Sequence, residues 1–367
     1  MINRSFFTIA FVIIVSALTG ACNDNTSTEK IANVEAQKTD SDTLVPISNP
    51  LISDIYTADP SAHVFDGKIY IYPSHDYEAG VPENDKGDHF AMRDYHILSM
   101  DSINGKVTDH GVGLDIKDIP WAGRQLWAPD AAYSNGTYYL YFPVKDKKDV
   151  FHIGVATSSS PAGPFKPQPK PIGGSFSIDP AVFKDSDSST YMYFGGLWGG
   201  QLQSWRSGKY ASIGKEPGLD EPALSCKVVK LGKDMLLFSE PVKDLQVLDK
   251  DGKPLLARDS NKRFFEGPWM HKYNGKYYFS YSTGNTHFLV YATSDSPYGP
   301  FTYQGILMNP VKGWTTHHSI VEVNGKWYIF YHDTELSGKT HLRNIKFTEL
   351  KRNADGSIVT IDPYVKK

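Results

Sequence analysis

One short phrase, a turn pair followed by alternating aromatics, occurs five times along these 367 residues. It reads Asp66-Gly67-Lys68-Ile69-Tyr70-Ile71-Tyr72, then Asn135-Gly136-Thr137-Tyr138-Tyr139-Leu140-Tyr141, then Ser188-Ser189-Thr190-Tyr191-Met192-Tyr193-Phe194. It returns as Asn274-Gly275-Lys276-Tyr277-Tyr278-Phe279-Ser280-Tyr281 and as Asn324-Gly325-Lys326-Trp327-Tyr328-Ile329-Phe330-Tyr331. Asn-Gly and Asp-Gly between β-rich runs signal hairpins, because both turn positions need a positive φ. A second phrase, Ser160-Pro161-Ala162-Gly163-Pro164-Phe165, is echoed by Ser296-Pro297-Tyr298-Gly299-Pro300-Phe301. Five hairpins over residues 49–367 leave about 64 residues per unit, which suits a four-stranded blade with long loops and exceeds a solenoid repeat. The expected fold is all-β, a five-bladed β-propeller of four-stranded antiparallel blades, with each turn phrase joining a blade's first and second strands. The 22 Tyr, 19 Phe and 7 Trp supply the bulk needed between such sheets.

What stands before each turn carries the chemistry. Asp59 opens ADPSAHVF, Asp130 opens DAAY, Asp179 opens DPAVF, Glu266 opens EGPWMHKY, and His317-His318 open HHSIVEV. First strands of propeller blades line the central channel, so these residues are expected in one ring at one end of the axis. Confined like charges repel and raise at least one pKa. A single carboxylate at a strand start often only accepts backbone N–H groups; five in register argue for chemistry. Second strands return to the same rim, ending at Ser74-His75-Asp76, Val144-Lys145-Asp146, Gly196-Leu197-Trp198, Thr283-Gly284-Asn285 and His332-Asp333. Polar groups beside a flat aromatic suit a sugar. His75, Thr283 and Asp130 are therefore candidate substrate contacts, as are Trp198, flanked by glycines, and Trp127. Trp269 and Trp314 lie near the ring residues, where a core role is the simpler reading.

Net charge is −3 without basic runs, which gives no electrostatic footprint for nucleic acid. Two cysteines, Cys22 and Cys226, exclude a disulfide framework. Arg4, the apolar run Phe6 to Leu18 and Thr19-Gly20-Ala21-Cys22 have the layout of a secretory signal. A cysteine at the cleavage site resembles a bacterial lipobox, with Thr19 where Leu is usual. The expected organisation is a lipoprotein-type signal over residues 1–21, lipidated Cys22, a flexible polar tether over 22–48 and the propeller over 49–367. The expectation is an exported bacterial lipoprotein, in the periplasm or on the outer-membrane surface, touching the membrane only through its lipid; a plain signal peptide with a chance cysteine is the alternative.

With these residues in hand, the chain resembles glycoside hydrolase family 43 across nearly all of 49–367. The contexts TADPS at Asp59, SIDPAVFKD at Asp179 and FFEGPWMHKY at Glu266 carry the resemblance, supported by LWAPDAAY and HHSIVE. It implies that Asp59 is the general base, Asp179 the carboxylate that orients and tunes, and Glu266 the general acid of an inverting hydrolysis. It also implies that His318 contacts substrate or a channel Ca2+, the latter mostly through water, and that Arg343 contacts substrate near the base. No organic cofactor is expected.

The loops after Tyr72 and around GGLWGGQLQSW look like those of compact, exo-acting β-xylosidases. A β-D-xylosidase acting on xylo-oligosaccharides from plant hemicellulose is the leading expectation. An α-L-arabinofuranosidase or arabinanase is the alternative, and a non-catalytic glycan-binding propeller lipoprotein the more distant one.

Overall fold

The structure is a computed structural model that describes residues 44–367. The signal segment, Cys22 and most of the expected tether lie outside the described residues. The tether's expected end at residue 48 moves: Leu44–Pro46 is already a strand, paired antiparallel with Tyr364–Lys366.

Five sheets follow in chain order. Blade one is Thr57–Phe65, Lys68–His75, Asp94–Met100 and Val107–Asp115. In blade two the innermost strand is split into Ala122–Leu126 and Asp130–Ser134, both paired to Thr137–Asp146, with Phe151–Ser158 and Lys166–Pro167 outside. Blade three is Ala181–Lys184, Thr190–Phe194, Cys226–Lys230 and Lys243–Leu245. Blade four is Glu266–Tyr273, Lys276–Ser282, Leu289–Ser294 and Phe301–Met308, with Val247–Leu248 added in parallel at its edge. Blade five has three strands, His318–Val323, Lys326–Asp333 and Asn344–Glu349. The N-terminal segment lies against the last of these, where Leu51 N donates to Ile345 O at 2.8 Å and Thr57 N to Arg343 O at 2.9 Å.

The repeated phrase explains both turns and core. Asp66, Asn135, Asn274 and Asn324 have φ of 47–51°, and the glycine after each lies at 78–80°. This is the geometry of a two-residue turn whose twist matches its strands. The last tyrosine of each phrase (Tyr72, Tyr141, Tyr193, Tyr281, Tyr331) is fully buried. Three of them tie their blade to the next through the hydroxyl: Tyr72 donates to Pro161 O at 2.7 Å, Tyr141 to Met235 O at 2.8 Å and Tyr193 to Pro297 O at 2.9 Å. Pro161 and Pro297 belong to the second repeated phrase, so one motif is built to receive the other. A buried phenol needs such a partner, and here the partner fixes the angle between blades.

The same tyrosines serve as depth markers in the channel. Ser61, Asp130, Ala181 and His318 pair directly with Tyr72, Tyr141, Tyr193 and Tyr331. Asp59 stands two residues before Ser61 on its strand, and Asp179 two residues before Ala181, just ahead of its strand. Trp269 pairs with Ser280, which sets Pro268 beside Tyr281 and Glu266 two residues before it. The expected single ring is therefore two layers: Asp59, Asp179 and Glu266 at the mouth, Asp130 and His318 deeper. Counting back from a turn cannot distinguish these layers when strands bulge by a residue or two.

Candidate active site

The three mouth carboxylates leave regular strand geometry where they act. Asp59 and Asp179 have φ of 49° and 57°, each followed by a proline, and Gly267 after Glu266 lies at 61°. Register shifts interrupt the pairing between Ala58 and Ser61 and between Glu266 and Trp269. Bulges of this kind re-aim side chains, and left-handed backbone at a non-glycine persists only when the surroundings hold it. What holds Asp59 is dense. Arg343 Nη1 donates to its Oδ1 at 2.9 Å, Ser74 Oγ donates to its Oδ2 at 2.7 Å, and its own N–H donates to His332 Nδ1 at 3.0 Å. His332 Nδ1 is thereby an acceptor, so the ring carries its proton on Nε2 and gives it to Thr315 O at 3.0 Å.

Asp59, Asp179 and Glu266 line one pocket of about 230 Å³. Trp127, Trp198, Trp314, Phe90 and Phe265 form its apolar walls, and Arg343, His317 and Thr315 complete the polar side. Arg343 is the pivot. Its Nη2 and Nε bind Asp76 at 2.7 and 2.8 Å while Nη1 reaches Asp59, and its guanidinium lies 4.9 Å from the Phe90 ring centre. A forked, always-charged group can hold two carboxylates at once, which a lysine could not do with defined geometry.

The electrostatics separate the carboxylates. Burial pushes Asp59 up, but Arg343, His332, His317 and the Ser74 hydroxyl outweigh it and hold the carboxyl at about 2. Burial, then the charge on Asp59, pushes Glu266 up to about 8, with Arg343 opposing. Asp179 is also raised, by burial and then by Glu266 and Asp59. Asp179 and Glu266 thus titrate as a pair that keeps one proton near neutrality. Gly267 N donates to Asp179 Oδ2 at 2.9 Å, which favours the charged form of Asp179 and opposes the burial and neighbouring charge that raise it. An ionised carboxylate facing a coupled pair of carboxyls, both raised above their usual range, can perform acid–base hydrolysis.

Among the other residues singled out from the sequence, Trp127, Trp198 and Arg343 line the pocket; His75, Asp130, Thr283 and His318 do not. Asp130 is buried in the channel, accepting from Ser61 Oγ and from Ala131 N at 2.7 Å, with His63 Nε2 at 2.6 Å. It joins blades rather than facing a ligand. Thr283 spends its hydroxyl on Thr286 at 2.7 Å, and Trp269 its indole N–H on Ile320 O at 3.0 Å. His75 turns outward to Asp94, with Nδ1 2.7 Å from Oδ1. His318 is fully buried, with Nε2 2.6 Å from Ser280 Oγ and Nδ1 without a hydrogen-bond partner among the described residues. Sequence reasoning did not single out Phe90, His89 or the Glu83–Asp85 lip, because a long loop carries no period. Asp76 and His332 stood at the ends of second strands, and their polarity at a rim was the available signal.

Residues 47–358 match the model of the glycosyl hydrolases family 43. The chain belongs to glycosyl hydrolase family 43. This member is a glycoside hydrolase, and its relatives agree in their names. It is 59% identical to a xylosidase/arabinosidase of Bacteroides ovatus over 85% of this chain and 97% of that protein. It is 52% identical to a β-xylosidase of Xylanibacter ruminicola over 83% and 97%. Among solved structures, a family 43 β-xylosidase/α-arabinofuranosidase from a compost microbial metagenome, complexed with xylotriose in a calcium-free form, superposes with a TM-score of 0.86. That family 43 enzyme is 65% identical to this one over 88% of this chain and 100% of its own.

Proposed function

We propose that this family 43 enzyme is an inverting, exo-acting β-D-xylosidase that releases xylose from xylo-oligosaccharides. The observation that carries the mechanism is the opposite tuning of two carboxyls in one pocket, Asp59 at about 2 and Glu266 at about 8. Asp59 accepts a proton from a water, and the water oxygen bonds to the anomeric carbon. The bond from that carbon to the glycosidic oxygen breaks, and Glu266 gives its proton to the leaving oxygen. Asp59 ends protonated and Glu266 ionised, and exchange with solvent restores both. Asp179 positions Glu266 and helps keep it protonated, and Arg343 fixes the base.

Xylose as the sugar is supported by the names of the relatives and by the xylotriose complexes in the family. The same names support α-L-arabinofuranosidase activity as the second reading. A panel of nitrophenyl glycosides separates the two by kcat/KM. Proton NMR of the first product from a β-xyloside is expected to show the α-anomer; initial β-product excludes inversion.

A hydrated Ca2+ in the channel would keep oxygen ligands from its own waters, and the buried Nδ1 of His318, unpartnered among the described residues, would accept a hydrogen bond from one of them. Such an ion would supply positive charge beneath the carboxylates. Chelation followed by calcium re-addition is expected to change melting temperature in the parent and not in His318→Ala. The lipobox-like Thr19-Gly20-Ala21-Cys22 supports an exported lipoprotein, in the periplasm or on the outer-membrane surface. Radiolabelled palmitate is expected to enter the parent and not Cys22→Ser.

A further inference from the structure

His75 does not face the sugar pocket, and what it faces is a second constellation. Backbone pairing between the second and third strands of blade one runs from Ile69↔Met100 to Ile71↔Leu98 and then stops. Continued, that register brings His75 opposite Asp94. Asp94 and His96 are two apart on one strand, hence on the same face. Side chains take over where the ladder ends: His75 Nδ1 lies 2.7 Å from Asp94 Oδ1, and Tyr77 donates its hydroxyl to Asp94 Oδ2. The two imidazoles meet edge to face with centroids 4.6 Å apart. His96 is backed in turn by Asp109 of the fourth strand, Nδ1 to Oδ2 at 2.8 Å.

We propose that His75, Asp94 and His96 form a binding site for a zinc-class divalent ion at the edge of blade one, separate from both the sugar pocket and the channel. One ligand atom from each of the three lies within 4.8 Å of the others. Tetrahedral zinc with bonds near 2.0–2.1 Å needs its ligands roughly 3.3 Å apart, so small rotations of the side chains close the set, with water as the fourth ligand. Two imidazoles and a carboxylate select zinc, copper or nickel over calcium or magnesium, which take oxygen. Asp109 supplies the outer carboxylate that orients a ligating ring. The side chains of His75, Asp94 and His96 keep 11%, 11% and 17% of their surface exposed, so an ion can enter from solvent. The surrounding charges are mixed: Asp115 pairs across from Asp94 and is neutralised by Lys117 at 2.9 Å, and Arg93 lies over Tyr77, so the attraction for an ion comes from Asp94 and Asp109 themselves. The bound ion staples strands two and three beyond their ladder. Its ligand His75 sits between Ser74 and Asp76, which hold Asp59 and Arg343.

The test is zinc titration calorimetry and thermal melting of the untagged, EDTA-stripped protein, independent of turnover. One ion per chain is expected, with micromolar or tighter affinity and a melting temperature raised by a few degrees. His96→Ala is expected to weaken binding at least tenfold, and Asp109→Asn by about 10–100-fold through loss of ring orientation. His318→Ala should leave the isotherm unchanged. Circular dichroism and retained glycoside turnover establish that the His96 and Asp109 variants are folded. An unaltered isotherm in His96→Ala, loss of binding in His318→Ala, or no heat and no melting shift at millimolar zinc overturns the proposal.

Discussion

At the residue scale, the site depends on unequal treatment of chemically similar groups. Asp59 must be ionised and Glu266 protonated, so kcat/KM is expected to fall on the alkaline side near pH 8, while the acid limb lies below the usual carboxylate range. Asp179→Asn removes the carboxyl coupled to Glu266 and should move the alkaline limb to lower pH. Asp59→Asn and Glu266→Gln are each expected to cut kcat by about 10²–10⁴-fold; near-parental turnover in either removes that residue from its role. A linked effect appears in stability. Folded Glu266 keeps its proton up to about 8, whereas the unfolded chain releases it near 4.5. Between those values the folded state binds more protons, so this group makes stability fall as pH rises through the window. Glu266→Gln should therefore melt higher than the parent at pH 8 and show no such gain at pH 4.

At the element scale, loops hold the aromatic walls. Trp198 has a φ of 51° and sits in a glycine-flanked loop, and its indole N–H donates to Glu216 Oε1 at 2.7 Å. The other oxygen of Glu216 lies 3.6 Å from Arg263 Nη2. A charge-assisted bond of this kind contributes about 1.5–3 kcal/mol, so Glu216→Ala should raise KM about tenfold or more with a smaller change in kcat. Glu216→Gln keeps the accepting oxygen and should restore most of the affinity. The loop over Trp127 is equally constrained. Gly87 lies at φ +67°, and a Cβ there would meet Trp127 Cη2 at 2.6 Å. Gly87→Ala is expected to displace that wall and lower kcat/KM without unfolding the blades. How much of this was legible follows from periodicity: hairpins repeat and could be read, whereas the loop over residues 76–93 repeats nothing and had to be seen.

At the scale of the whole molecule, the circle closes through blade five. Lys346 Nζ donates to Asp333 Oδ2 at 2.8 Å and also contacts Glu335, with both Lys346 and Asp333 fully buried. Tyr364, on the C-terminal strand paired with Leu44–Pro46, reaches the same Asp333 oxygen at 3.1 Å and accepts from Lys312 N at 2.7 Å. Lys346→Met strips the cation from a buried carboxylate and should cost about 3–5 kcal/mol in denaturant unfolding. Arg343 lies on the loop entering the strand that carries Lys346, so closure of the ring and placement of the base's guanidinium share one segment.

The amino-acid sequence alone determined the number of blades, the turn geometry and the contexts of Asp59, Asp179 and Glu266, because each is a local pattern with a fixed period or a short motif. Only the tertiary structure decided which ionisable residues share a layer. Asp130 and His318 fall beneath the mouth because bulges at Asp59-Pro60 and Glu266-Gly267 shift depth by residues that a count along the chain treats alike. It also decided the partners of Arg343. Asp76 and Asp59 lie 267 and 284 positions away in sequence, and their meeting depends on a circle of sheets whose last blade comes to rest against its first.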